Sequence, residues 1–220
     1  MEFWCSGFFC RLFDQDFHDF SVQRKDDTNM TNYIYTNLYV HGSAEELDKL
    51  FRNLKRWTRK DEKKQHEVFG YGWIGFIAQA AKLEPLDLRA GVLKIQYDGR
   101  GRLYVLYISA VGPQAGFWRA LVRMFAPHCQ AYYLAEEAGS GFYETNDLIK
   151  RIIVADYAVP ARNQEGAYLT SGERRSTFYT ETSMRELLSS KYGAGKPVTE
   201  LLELAQQEGL HVNKVQRVSR

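Results

Sequence analysis

The sequence is poor in residues that staple a chain together, anchor it in a membrane or commit it to one kind of partner. It holds three cysteines, Cys5, Cys10 and Cys129, two of them within the first ten residues. The single thiol left in the body cannot form a disulfide framework, and such usage fits a reducing cytoplasm. Cys129 follows His128. Neighbours on a strand point to opposite faces, so the pair reads as a strand entrance rather than a reactive couple. No apolar run is long enough to span a membrane. The aromatic opening, residues 1–13, lacks the basic segment of a signal peptide, and Arg11 breaks its apolar patch. A cytoplasmic chain without membrane contact is expected.

Charge of one sign is also scarce. The net charge is +2, with three basic and six acidic residues in 1–29 against 26 basic and 21 acidic in 30–220. A balance so mild falls far short of a dedicated nucleic-acid binder. Familiar site patterns are missing too. Gly193-Ala194-Gly195-Lys196-Pro197 resembles a P-loop, but its spacing is wrong and Pro stands where Ser or Thr would hold magnesium. The five histidines, His18, His41, His66, His128 and His211, show no i, i+4 pair and no cysteine at metal spacing. No cofactor or metal is expected. Ser140 lacks a nucleophile-elbow context. Glu136, Glu137 and Glu144 bracket Gly139-Ser140-Gly141, and carboxylates beside a glycine turn are usually solvated.

What remains is an ordinary globular composition, 45% hydrophobic and 25% charged, with a surplus of tyrosine (14 residues). Tyrosine joins an apolar ring to a polar tip and suits half-buried sheet faces and interfaces. Residues 14–29 show no helical period and little aliphatic content. The segment 1–29 therefore reads as a poorly packed arm or an upstream extension, with Met30 as the natural start. The alternative is an aromatic anchor through Phe3, Trp4, Phe8 and Phe9.

Order begins at 33–41, a strand with Ile34, Thr36, Leu38 and Val40 on one face. Tyr33, Tyr35, Asn37, Tyr39 and His41 take the other. Gly42 ends it, and Ser43 with Glu46 forms a capping box for a helix striped by Leu47, Leu50, Phe51, Leu54 and Trp57. Residues 58–90 read as an insertion, with a small helix in the apolar stretch before Leu83. Residues 92–97 and 103–109 flank Asp98-Gly99-Arg100-Gly101 as a hairpin. A second amphipathic helix carries Phe117, Trp118, Leu121, Val122 and Phe125 and stops at Pro127. A fourth strand follows at 130–134. The order predicts an α+β fold with a ferredoxin-like βαββαβ core over 30–160. Beyond it the pattern predicts a strand at 148–157 and a polar connector at 162–176. The small C-terminal helical region, 161–220, holds a helix capped by Ser183 with Glu186, a helix from Val198 to Gly209, and a strand-like end at 210–218.

Asn37-Leu38-Tyr39-Val40-His41-Gly42, followed by a capped helix, resembles the opening of the YubB-type ferredoxin-like proteins of plasmids and phages. Phe117-Trp118-Arg119-Ala120-Leu121, Phe125-Ala126-Pro127 and Gly139-Ser140-Gly141-Phe142 resemble that family's second half. The chain departs from it at Ile108-Ser109-Ala110-Val111-Gly112-Pro113. The resemblance covers roughly 32–157 and implies a fold and a mobile-element setting, with no activity and no site residues.

The candidate site is the tyrosine face. RNA-recognition domains share the βαββαβ order and stack bases on aromatics of the two central strands. Tyr35 and Tyr39 on the first strand, Tyr107 on the third and Tyr132 or Tyr133 on the fourth would form such a platform, with Arg100 and Arg102 of the hairpin turn at phosphates. The competing reading buries these rings under the C-terminal half. The expected function is a non-enzymatic accessory module that binds a host protein or nucleic acid. The alternatives are single-stranded nucleic-acid binding on the tyrosine face and RNA processing, which would need His41, Glu136 and Glu144 in one pocket.

Overall fold

The computed structural model describes residues 33–61, 65–83, 88–161 and 176–219. The arm at 1–29 and most of the connector at 162–176 lie outside the described residues. Alternating apolar residues form β1 (Ile34–His41) at the centre of a mixed sheet. Gly42 closes it with φ of 155°, and a Cβ there would lie 2.8 Å from the Cys129 backbone and thiol. Glycine alone tolerates that approach. Helix α1 (Ala44–Trp57) starts as expected, with Ser43 Oγ accepting from Glu46 N at 3.4 Å. The reciprocal arm of the capping box is not made, because the Glu46 carboxylate turns to His128 instead.

The presumed insertion carries α2 (Ile74–Ala81). Ile74 and Ile77 are fully buried in the main core beside Leu47, Leu50 and Leu54 of α1, so the helix is part of that core. Gly72 lets this segment meet β2 (Ala90–Tyr97): Val92 N donates to Gly72 O at 2.7 Å, and a Cβ on Gly72 would strike that strand. Asp98 turns the chain into β3 (Arg102–Ser109), then α3 (Ala115–Phe125) leads to β4 (Gln130–Glu137). The sequence pattern ended β4 at 134; it runs to Glu137 and folds back through the glycine turn as β5 (Phe142–Thr145).

The strand expected at 148–157 is mostly a turn, and only β6 (Tyr157–Pro160) pairs. Asp147 accepts backbone N–H groups from Arg151, Ile152 and Ile153, which curls the chain before a ladder can form. β7 (Ser176–Tyr179) precedes α4 (Glu181–Tyr192) and α5 (Val198–Gln207). Thr180, not Ser183, caps α4: the two side chains exchange bonds with each other's backbone N–H, and the helix starts a turn early. The end of the chain splits into β8 (Asn213–Lys214) and β9 (Gln216–Arg217).

The fold is α+β. The larger sheet has the order β2-β3-β1-β4-β5-β9, antiparallel except for the β5–β9 pair. A smaller sheet, β7-β6-β8, adjoins it, so the expected helical region also supplies strands. Helices α1, α2 and α3 all pack on one face, against Leu38, Val40, Ile95 and Val105. On the opposite face, Ile153, Ala155, Ala158 and Val215 cover Leu134 and Tyr143 of β4 and β5. The α4–α5 pair closes a third core over Tyr157 and Tyr179. Among the described residues no helix is long and apolar enough to cross a membrane.

Candidate functional site

Strand register decides which side chains share a face. Tyr39 of β1 stands opposite Tyr104 of β3 and Tyr132 of β4, so three tyrosines form one row across three adjacent strands. All three are half-buried, and the rings of Tyr39 and Tyr104 meet at 5.4 Å. Two residues along each strand, Arg102, His41 and Gln130 form a second row, all exposed. Gln130 ties the rows together: its Oε1 accepts from the Tyr132 hydroxyl at 2.6 Å and from Arg151 Nη1 at 2.8 Å. Asp98 Oδ1 accepts from the backbone N of Arg100 and of Arg102, at 2.7 and 3.0 Å. Both bonds tie the turn to Asp98, and the Arg100 side chain is exposed beside it.

Of the residues expected at this site, Tyr39, Arg100 and Arg102 gather at one end of the sheet. Tyr107 does not belong to it. Its partner across the ladder is Thr36, so it lies on the helix face, fully buried against Trp118, with its hydroxyl donating to the Pro113 carbonyl. Burial pushes that phenol well above its ordinary range. Arg102 and Tyr107 are five residues apart, and an odd spacing on a strand puts them on opposite faces. Tyr35 is on the correct face but at the other end of β1, opposite Glu136. Tyr104 was missed, although its even spacing from Arg102 marks it.

The acids fall apart as a catalytic group. Glu136 and Glu144 are buried, at 3% and 4% exposure, rather than solvated beside their turn. They are on opposite faces: Glu136 pairs with Tyr35, while Glu144 is on the helix side and accepts from the Tyr133 hydroxyl at 2.6 Å. His41 ends β1 six residues from Tyr35, a separation of about 20 Å on an extended strand. At the entrance to β4, Glu46 gathers both members of the dismissed couple, at 2.5 Å from His128 Nδ1 and 3.7 Å from the Cys129 thiol. Burial, with the Glu46 charge beside it, raises the thiol pKa, so the cysteine stays protonated. Among the described residues no group of three or more His, Cys, Asp or Glu could hold a metal ion.

A groove of about 320 Å³ runs between α3 and the first half of β4, adjoining the tyrosine row. Its apolar floor includes Leu38, Trp118 and Val122, and Gln130 and Tyr132 are common to the groove and the row. Past the end of β5, the Asn146 side chain takes over the ladder, accepting from Tyr133 N at 2.8 Å and donating to Ala131 O at 3.0 Å. Compared with protein-family models, curated proteins and solved structures, the chain matches none.

Proposed function

We propose that this chain is a non-catalytic binding module for single-stranded nucleic acid, taken across the Tyr104–Tyr39–Tyr132 row. The carrying observation is the register, which sets three half-buried aromatic rings side by side with Arg102, His41 and Gln130 in the next row. Stacking on tyrosine accepts any base, and each stacked base is worth about 1–3 kcal/mol. A few stacking positions suit a chain whose overall charge is too mild for binding by electrostatics alone. We further read β1–β4 with α1 and α3 as a ferredoxin-like core, extended by β5 and β9, in an accessory protein of the plasmid and phage kind. The antiparallel order β2-β3-β1-β4 and the YubB-type resemblance support that reading. RNA processing has no comparable support, since His41, Glu136 and Glu144 share no pocket.

Fluorescence anisotropy with a labelled oligothymidylate and an oligouridylate tests the proposal. Tyr39→Ala with Tyr104→Ala should weaken binding by roughly 100-fold, as loss of two stacking positions implies. Wild-type protein that binds neither strand, or a variant that binds as well as wild type, sinks it. A host protein as partner is the second reading, favoured by Leu148 and Ile149, which stand 52% and 76% exposed on one turn.

A further inference from the structure

The groove between α3 and β4 has a chemistry of its own. None of its lining residues is acidic, and two are arginines, Arg119 and Arg123, one turn apart on α3. Both are exposed and neither has an ion-pair partner among the described residues. The helix carries no acid to compensate them. Elsewhere on the surface Arg52, Lys150, Arg185, Lys191 and Lys196 each meet a carboxylate. Residues four apart on a helix face the same way, so the two guanidiniums present one doubly charged rim. The groove's other wall is the first half of β4 with Asn146, whose amide is bonded to the β4 backbone, while the Gln130 side chain turns to the tyrosine face. Arginine forks match phosphate oxygens in pairs.

We infer that this groove is a phosphate track, which takes the backbone of the same strand whose bases stack on the tyrosine row. The inference rests on the proposed function and deepens it. The strand rounds the start of β4 at Gln130, before the edge that Asn146 closes from Ala131 to Tyr133, and its next two phosphates meet Arg119 and Arg123. The site thus wraps both faces of one strand, and a short oligonucleotide engages only the first part.

The test compares wild type with Arg119→Gln/Arg123→Gln, whose positions are exposed and whose melting temperature serves as the folding control. Oligothymidylates of about four and about twelve nucleotides are titrated across a salt series. The variant should bind the short strand as wild type does. It should lose about tenfold in affinity for the long one, and its salt slope should fall by about 1.4, about 0.7 for each lost phosphate contact. An unchanged slope with the long strand, when wild type binds it and Tyr39→Ala does not, overturns the track while leaving the tyrosine row. Failure of wild type to bind either strand overturns both. Free inorganic phosphate provides the last arm. If it competes with the short strand as well as with the long one, the groove is not a continuation of the strand's path, and the inference falls.

Discussion

Asp147 shows how much of this structure hangs on single residues outside the regular elements. It is wholly buried and accepts N–H groups from Arg151, Ile152 and Ile153 at 2.9, 2.6 and 2.8 Å. Burial alone would push its carboxyl up; the bonds from Ile153, Ile152 and Arg151, with the Arg217 charge, outweigh that and hold it below the ordinary 3.8. Asp156, beside Lys150 and Arg217, is depressed in the same sense against its own burial. A depressed carboxyl contributes stability that is complete above its unfolded pKa and is lost as pH falls through its folded one. Resistance to urea should therefore fall as pH drops from roughly 5 towards 2. Asp147→Asn should cost about 3 kcal/mol at neutral pH and make that acid decline shallower, since one of the depressed carboxyls is gone. An equal decline in both proteins would remove Asp147 from the account. None of this was legible in the sequence, where 148–157 looks like a strand; the carboxylate's contact with three backbone groups exists only after the turn has formed.

At the scale of elements, periodicity located most of what forms. The stripes on α1 and α3 are visible as i, i+3, i+4 patterns, and the glycine turn at 98–101 announces its hairpin. Where the reading failed, a local signal was outweighed or was too short. β5 is four residues long and follows a turn that looked like a charged loop. α2 sits in a stretch that reads as an insertion, yet Ile77 is fully buried among residues of α1 and the sheet. Ile77→Ala should therefore cost about 2–5 kcal/mol, the range for a core aliphatic, measured by urea titration. A peripheral insertion would lose far less. The same reasoning explains Tyr107: alternation alone says it opposes Arg102 across the strand, but only pairing with Thr36 says which side is covered.

For the whole molecule, the C-terminal segment closes the sheet. Arg217 donates to the carbonyls of Asp147, Ile153 and Ala155, and β9 lies parallel to β5. The far end of the chain thus holds the turn at 147–156, which in turn covers the β4–β5 half of the tyrosine face. Arg217→Ala should leave the helix-face core intact while speeding hydrogen exchange at Ile152 and Ile153, whose amides bond only to Asp147 among the described residues. Exchange that stays as slow as in wild type would show that this turn does not depend on the chain's end. A tyrosine surface bounded by such a cover is narrower than an open sheet, and the proposed binding row lies at its Arg102–Gln130 end.

Patterns along the chain sufficed for the α+β class, the strand at β1 with its two distinct faces, and helices α1 and α3 on one of them. Each follows from spacing along a few residues, where local geometry and apolar burial agree. The tertiary structure decided which tyrosines stand together. That depends on register between strands up to about a hundred residues apart, which no local pattern encodes. It also set Arg119 and Arg123 beside Gln130, buried both acids on opposite faces, and returned the end of the chain to the sheet. Those arrangements arise from contacts distant in sequence, and the candidate site is made almost entirely of them.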